Sequence, residues 1–274
     1  MTDYRTSTSV NWSTLRNILT SPRAYQHALA HPVEQTPAMA YGTLVHLHVL
    51  QPDSIGEACA LVPDEYVTAS GTLSTAKGAR EWLATLPAGV TPITAGQALE
   101  MAAIVQAVEA HDGAAEWLAT ATQREQPIYW TDAATGIECK GLPDATGGGL
   151  LLDVKTWAPR GRFSADAFMR DALQRGYLGQ LGYYASGLAT LGRPVQRMGW
   201  IVIQSAAPWD VMVLELDVAA VDYAQREARS ALDRLAEWRD EGCPDEGAAP
   251  GVTEVSLPLW MRRDADATAD DVGF

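Results

Sequence analysis

The chain has 274 residues, 47% of them hydrophobic, and a formal net charge of −14. That is enough apolar content for a sizeable core in one large or two small domains, and no apolar run reaches the roughly 18 residues that cross a bilayer. Cys59, Cys139 and Cys243 are too few and too scattered for a disulfide framework, a zinc knuckle or a four-cysteine iron–sulfur site. The opening MTDYRTSTSVNW lacks the charged-then-apolar pattern of a secretion signal, so the expected location is the cytoplasm.

The first predicted element is a helix in NWSTLRNILTSPRAYQHAL, capped by Ser13, with Leu15, Ile18 and Leu19 at helical spacing. A second helix is expected from Ala38 to Leu50, stopping before Pro52. Residues 51–92 are broken by Pro and Gly and read as an excursion. TAGQALEMAAIVQAVEAH is strongly helical, and a shorter helical piece follows to Thr120.

The pattern then changes to strands. REQPIYWT and GIECKGLPDAT flank the turn DAATG as a hairpin, and after Gly147, Gly148 and Gly149 the run LLLDVKTW reads as a strand apolar enough to be central. One long helix is predicted from Ser164 to Leu191, ended by Gly192. VQRMGWIVIQ and DVMVLELDV are two more strands, and 219–240 is a charged amphipathic helix. This order predicts an α/β fold, a central mixed sheet flanked by helices with an N-terminal helical region. Residues 1–241 are expected to be one domain and 242–274 an acidic, loosely held tail containing Pro and Gly.

The charge is unevenly placed. Residues 157–209 carry six basic and two acidic groups, while 49–156 and 210–274 are strongly acidic. Arg160, Arg162, Arg170 and Arg175 follow the LLLDVKTW strand, and a local basic face can hold phosphate inside an acidic protein because distant charge is screened within about 10 Å. Scattered arginines that only solvate helices would give the same count.

Asp144 and Asp153 are expected on neighbouring strands joined by a tight glycine turn, within reach of one Mg²⁺ or Mn²⁺. Lys155 leaves the strand on the same face as Asp153 and can orient or help deprotonate an attacking water. Bland readings stand beside these. Asp144 can cap a turn, Asp153 and Lys155 can be a structural ion pair, and His46 and His48 can be core histidines. Trp157 can stack on a base or close the core.

The spacing of GLPD and DVK, nine residues apart, resembles the PD-(D/E)xK nuclease superfamily, and in particular its RecE-type (exonuclease VIII-like) exonucleases. YGTLVHLHVLQP, EQPIYWTDAATGIECKGLPD, GQLGYYASGL and SLPLWM carry the same resemblance. It implies a restriction-endonuclease-like core in which His46, Asp144 and Asp153 hold the metal and Lys155 activates the water. Gln180 would orient Lys155 or the phosphate, Tyr184 would touch the phosphate or the DNA strand, and Glu125 would support the site from behind. The implied enzyme is a Mg²⁺-dependent exodeoxyribonuclease, with Mn²⁺ as substitute, that degrades linear double-stranded DNA from the 5′ end and leaves 3′ overhangs for recombination. Expected partners are duplex ends, a single-strand annealing recombinase and further copies of the chain in a ring such as a tetramer, with no membrane. A restriction or repair endonuclease, or an inactive DNA-binding or assembly protein on the same fold, remain the alternatives.

Overall fold

The computed structural model describes residues 6–33 and 36–244, together with Tyr4, Val252, Glu254 and Ser256. The predicted tail beyond 244, including SLPLWM, lies outside the described residues apart from those last three.

The N-terminal region is helical but is not one helix. α1 (Trp12–Leu15) tightens into a 3-10 turn at Arg16–Leu19, and α2 (Pro22–Ala30) starts afresh. Asn11, not Ser13, caps α1: its side-chain oxygen accepts the N–H of Thr14, while Ser13 donates its hydroxyl to the same oxygen. The break at α2 has a local cause. Ser21 accepts the N–H of Ala24, and Pro22 has no N–H with which to continue an earlier helix.

α3 (Pro37–Leu50) is followed by the excursion, which holds α4 (Ile55–Ala58), β1 (Cys59–Leu61), α5 (Lys77–Leu83) and β2 (Thr91–Ile93). β1 and β2 pair in parallel, and Ile93 joins the core beneath α3. α6 (Ala95–Glu109) begins at Thr94 with a reciprocal capping box to Gln97, and α7 (Asp112–Thr120) completes this helical layer.

β3 (Gln123–Arg124) leads to β4 (Ile128–Thr131) and β5 (Glu138–Gly141), then to β6 (Ala145–Gly147) and β7 (Leu150–Trp157). β4 and β5 form the expected hairpin, but as a separate two-stranded sheet. The main chain of Val10 pairs with its outer edge, and Lys140 Nζ donates to the carbonyls of Tyr4 and Ser7. The N-terminal segment is thereby clipped to the hairpin.

After β7 come α8 (Ala165–Arg175) and α9 (Tyr177–Thr190), then β8 (Arg197–Gln204), β9 (Val211–Glu215) and α10 (Val218–Asp240). The predicted single helix over 164–191 is two helices. They part at Gly176, whose backbone is left-handed (φ +67°), and Trp12 Nε1 donates to its carbonyl at 2.8 Å.

The main sheet has the order β3-β6-β7-β8-β9. β7 and β8 run parallel across the α8–α9 crossover and every other pair is antiparallel, so the sheet is mixed, as expected. β7 is central. Leu150, Leu152 and Val154 face a core shared with α3, α6 and α7, while Leu151 and Trp157 face a second core shared with α8, α9 and α10. Alternation therefore aims Asp153 and Lys155 at α9. Two close approaches need glycine: a Cβ at Gly199 would lie 1.9 Å from the Leu214 carbonyl oxygen, and one at Gly182 would lie 2.1 Å from that of Ala224 in α10.

Among the described residues no helix is long and apolar enough to cross a membrane.

Candidate active site

Asp153 lies mid-strand in β7 and is 1% exposed. A buried ionised carboxylate costs several kcal/mol unless it is paired. Lys155 Nζ sits 2.6 Å from Asp153 Oδ2 and pairs with it. Lys155 also donates to Gln180 Oε1 at 3.2 Å, and Gln180 Nε2 donates to the Tyr184 hydroxyl at 3.2 Å.

Asp144 does not end a hairpin strand as the sequence suggested. β5 stops at Gly141, the chain bends through 142–144, and β6 starts at Ala145. The β6–β7 register pairs Ala145 with Leu152, so its next step sets Asp144 opposite Asp153. Asp144 Oδ2 accepts the Val154 N–H at 2.7 Å and lies 3.4 Å from Nδ1 of His46 on α3. One carboxylate thus links the central strand to the helix on the other layer.

Charge is strongly biased here. Burial alone would lower the pKa of His46, but the Asp144 carboxylate outweighs it and favours the imidazolium. Burial opposes ionisation of Asp144, and His46 with Lys155 overcomes it, leaving its carboxyl below the usual range. Burial, reinforced by the Asp144 charge, pushes Asp153 up to about 6 against the pull of Lys155. Burial would neutralise Lys155, but Asp153 and Asp144 hold it above the ordinary lysine range. The two carboxylates favour its ammonium form, a donor and a positive charge.

Glu125 is brought to the same place. Its N–H donates to the Asp144 carbonyl, its backbone is left-handed (φ 44°), and its Oε2 accepts from Gln51 Nε2. Burial and the Asp144 charge raise its pKa. Non-glycine residues in that conformation cluster at functional sites. Tyr184 is 7% exposed and reaches the site through Gln180, not by facing solvent. His48 stays out: among the described residues its buried Nδ1 has no hydrogen-bond partner, and its ring lines a shallow groove with Leu99 and Gln106.

The four predicted arginines line one cavity of about 580 Å³ at the C-terminal end of β7, with Trp157, Ser164 and Gln174. Arg175 Nε donates to Asp171 Oδ2 at 2.7 Å. Arg160, Arg162 and Arg170 are exposed and make no ion pair among the described residues. Trp157 closes the core against Phe163 and Phe168 and donates to Asp171. Sequence reasoning passed over Gln51, and it read Tyr177, with Tyr183 and Tyr184, as core and groove lining, whereas the ring of Tyr177 faces Lys155 Nζ. Tyr177 was readable as the residue three before Gln180 on one helical stripe.

The donors suit a hard divalent cation in kind: the buried carboxylate of Asp153, the half-buried one of Asp144 and an imidazole beside them. Among the described residues, no three His, Cys, Asp or Glu side chains already stand together as a ready-made metal cage.

The model of the PDDEXK-like domain of unknown function (DUF3799) matches residues 11–247. The chain belongs to that family. Its fold is the central mixed sheet with flanking helices of PD-(D/E)xK nucleases, a superfamily that generally works with divalent metals. A protein of Eubacterium rectale assigned as an exonuclease shares the fold, with a TM-score of 0.58 at 12% identity over 93% of this chain and 92% of that one. LHK-Exo, solved with dAMP, aligns at 14% identity over 85% and 92% of the two chains, and its TM-score of 0.33 carries no argument. No curated protein matches the sequence.

Proposed function

We propose that this protein is a Mg²⁺-dependent exodeoxyribonuclease of the RecE type, acting 5′ to 3′ on linear double-stranded DNA. The single observation that carries the reading is the mid-strand Asp153–Lys155 pair, its carboxylate buried, with Asp144 opposite and Gln180 on the lysine. A structural ion pair needs no second carboxylate and no amide to aim the ammonium.

His46, Asp144 and Asp153 would hold Mg²⁺, or Mn²⁺ in its place, and the cation supplies Lewis-acid polarisation of the scissile phosphate. Lys155 Nζ donates to the attacking water or to a non-bridging phosphate oxygen and offsets the charge that builds there. Gln180, braced by Tyr184, keeps Nζ from turning back to Asp153 alone. Glu125, tied by Gln51, fixes the backbone of Asp144. The arginines at the end of β7 take the duplex backbone. A 3′ overhang left by such digestion suits a strand-annealing recombinase, and a ring of copies would keep the enzyme on its substrate.

Linear duplex labelled at the 5′ or 3′ end, incubated with Mg²⁺ beside a supercoiled circle, tests this. Prompt release of the 5′ label with an intact circle is expected. Early 3′ release overturns the polarity, and a cut circle makes the protein an endonuclease.

Two further results are expected. Substituting Gln for Arg160, Arg162 and Arg170 together weakens duplex binding and lowers the slope of log affinity against log salt by about 2–3, at roughly 0.9 per phosphate contact. Filter binding from 50 to 300 mM salt, roughly the range where such slopes are read, checks it.

The second concerns pH. Asp153 has a raised folded pKa, so its protonated form favours the fold. That contribution is complete below the unfolded value near 4 and is lost as pH rises through about 6. A cation needs Asp153 ionised and His46, whose pKa is also raised by Asp144, neutral. The Mn²⁺-induced rise in melting temperature should therefore be full at pH 8 and shrink several-fold by pH 5. A pH-independent shift would remove both Asp153 and His46 from the cation's ligands.

A further inference from the structure

Tyr177 opens α9 at the corner made by Gly176. That corner turns its ring onto the catalytic lysine: Lys155 Nζ lies over the ring face, 4.5 Å from its centroid. Tyr177, Gln180 and Tyr184 stand at i, i+3 and i+7, one stripe of the helix. The ammonium is therefore walled by the Asp153 carboxylate at 2.6 Å, the Gln180 amide oxygen at 3.2 Å and an aromatic face.

A lysine stem has four rotatable bonds and the ammonium itself has no preferred direction. The carboxylate and the amide attract Nζ from two sides, and the ring closes a third with a π face that attracts positive charge. We propose that Tyr177 is a positioning residue whose ring face holds Lys155 Nζ at the cleavage site. The inference rests on the nuclease reading for its effect on rate, though not for the contact itself. The hydroxyl has a separate tie, to Arg175, so the ring and the hydroxyl can be tested apart.

The experiment compares Tyr177→Phe, Tyr177→Leu and Tyr177→Met in the full chain. It reads kcat and KM on linear duplex, melting temperature, and the acetylation rate of Lys155 by acetic anhydride followed by peptide mass spectrometry. Phe should keep kcat within about twofold. Leu and Met should lose about tenfold in kcat with KM nearly unchanged, as expected for one desolvated cation–π contact. Lys155 should be acetylated several-fold faster in Leu and Met than in wild type or Phe. A Leu variant that merely loosens the fold would melt early, and the slimmer, unbranched Met keeps the comparison. Equal losses in Phe and Leu would shift the role to the hydroxyl and overturn the proposal. So would unchanged kcat in Leu and Met, whatever the labelling. Should the wild type cleave no DNA, the nuclease reading falls, and the acetylation rates alone decide whether the ring holds the lysine.

Discussion

Lys155→Ala lowers cleavage of linear duplex by at least about a thousandfold, the scale on which loss of one preorganised charge-stabilising donor registers. The fold survives the change. Removing the ammonium leaves Asp153 buried beside Asp144, but a carboxyl already pushed up to about 6 takes up a proton rather than stay charged. Asp153→Ala is expected to lose as much activity with a greater cost in stability, because it strands an ammonium held above its normal range by that carboxylate. Single-turnover cleavage with saturating Mg²⁺, paired with thermal melts, reads both effects. Lys155→Ala cleaving within tenfold of wild type would reduce the pair to a structural ion pair and leave the protein a DNA-binding or assembly module on a nuclease fold.

Gly182→Ala destabilises the protein by about 3 kcal/mol, the upper end of overpacking costs, and lowers the melting temperature by roughly 6–12 °C at 2–4 °C per kcal/mol for a chain of this size. The added Cβ would sit 2.1 Å from the Ala224 carbonyl oxygen, and backbone cannot yield as a flexible side chain would. α9 and α10 must part. Because α9 carries Gln180 and Tyr184, the displacement also pulls the amide away from Lys155, and cleavage should fall in the same variant. A variant that melts like wild type would show that α10 can slide without cost. Differential scanning calorimetry beside the cleavage assay separates the two effects.

The reach of sequence reasoning differs from element to element. β7 was legible because three leucines ahead of Asp-Val-Lys make a run apolar enough for a central strand. α6 was legible from its cap and period, and the hairpin from its turn. The helix breaks were not: Gly176 lies inside a pattern that is helical on both sides, and only Trp12, 164 positions away in the chain, shows why the backbone turns there. Ser13 and Asn11 are both good caps, and local sequence cannot choose between them when one hydroxyl can donate to the other's side chain.

The candidate site divides along the same line. Lys155 on the face of Asp153 follows from strand alternation, which is local geometry fixed by the backbone. That Asp144 stands opposite Asp153 depends on the bend at 142–144 and on a register set by the Gly147–Gly149 turn. That His46, Gln180 and Tyr177 converge on those strands depends on two helical layers packing against opposite faces of one sheet. Periodicity reports which side of an element is buried, but carries no information about which distant element buries it. The candidate residues were written in the chain; their meeting point was settled by long-range packing.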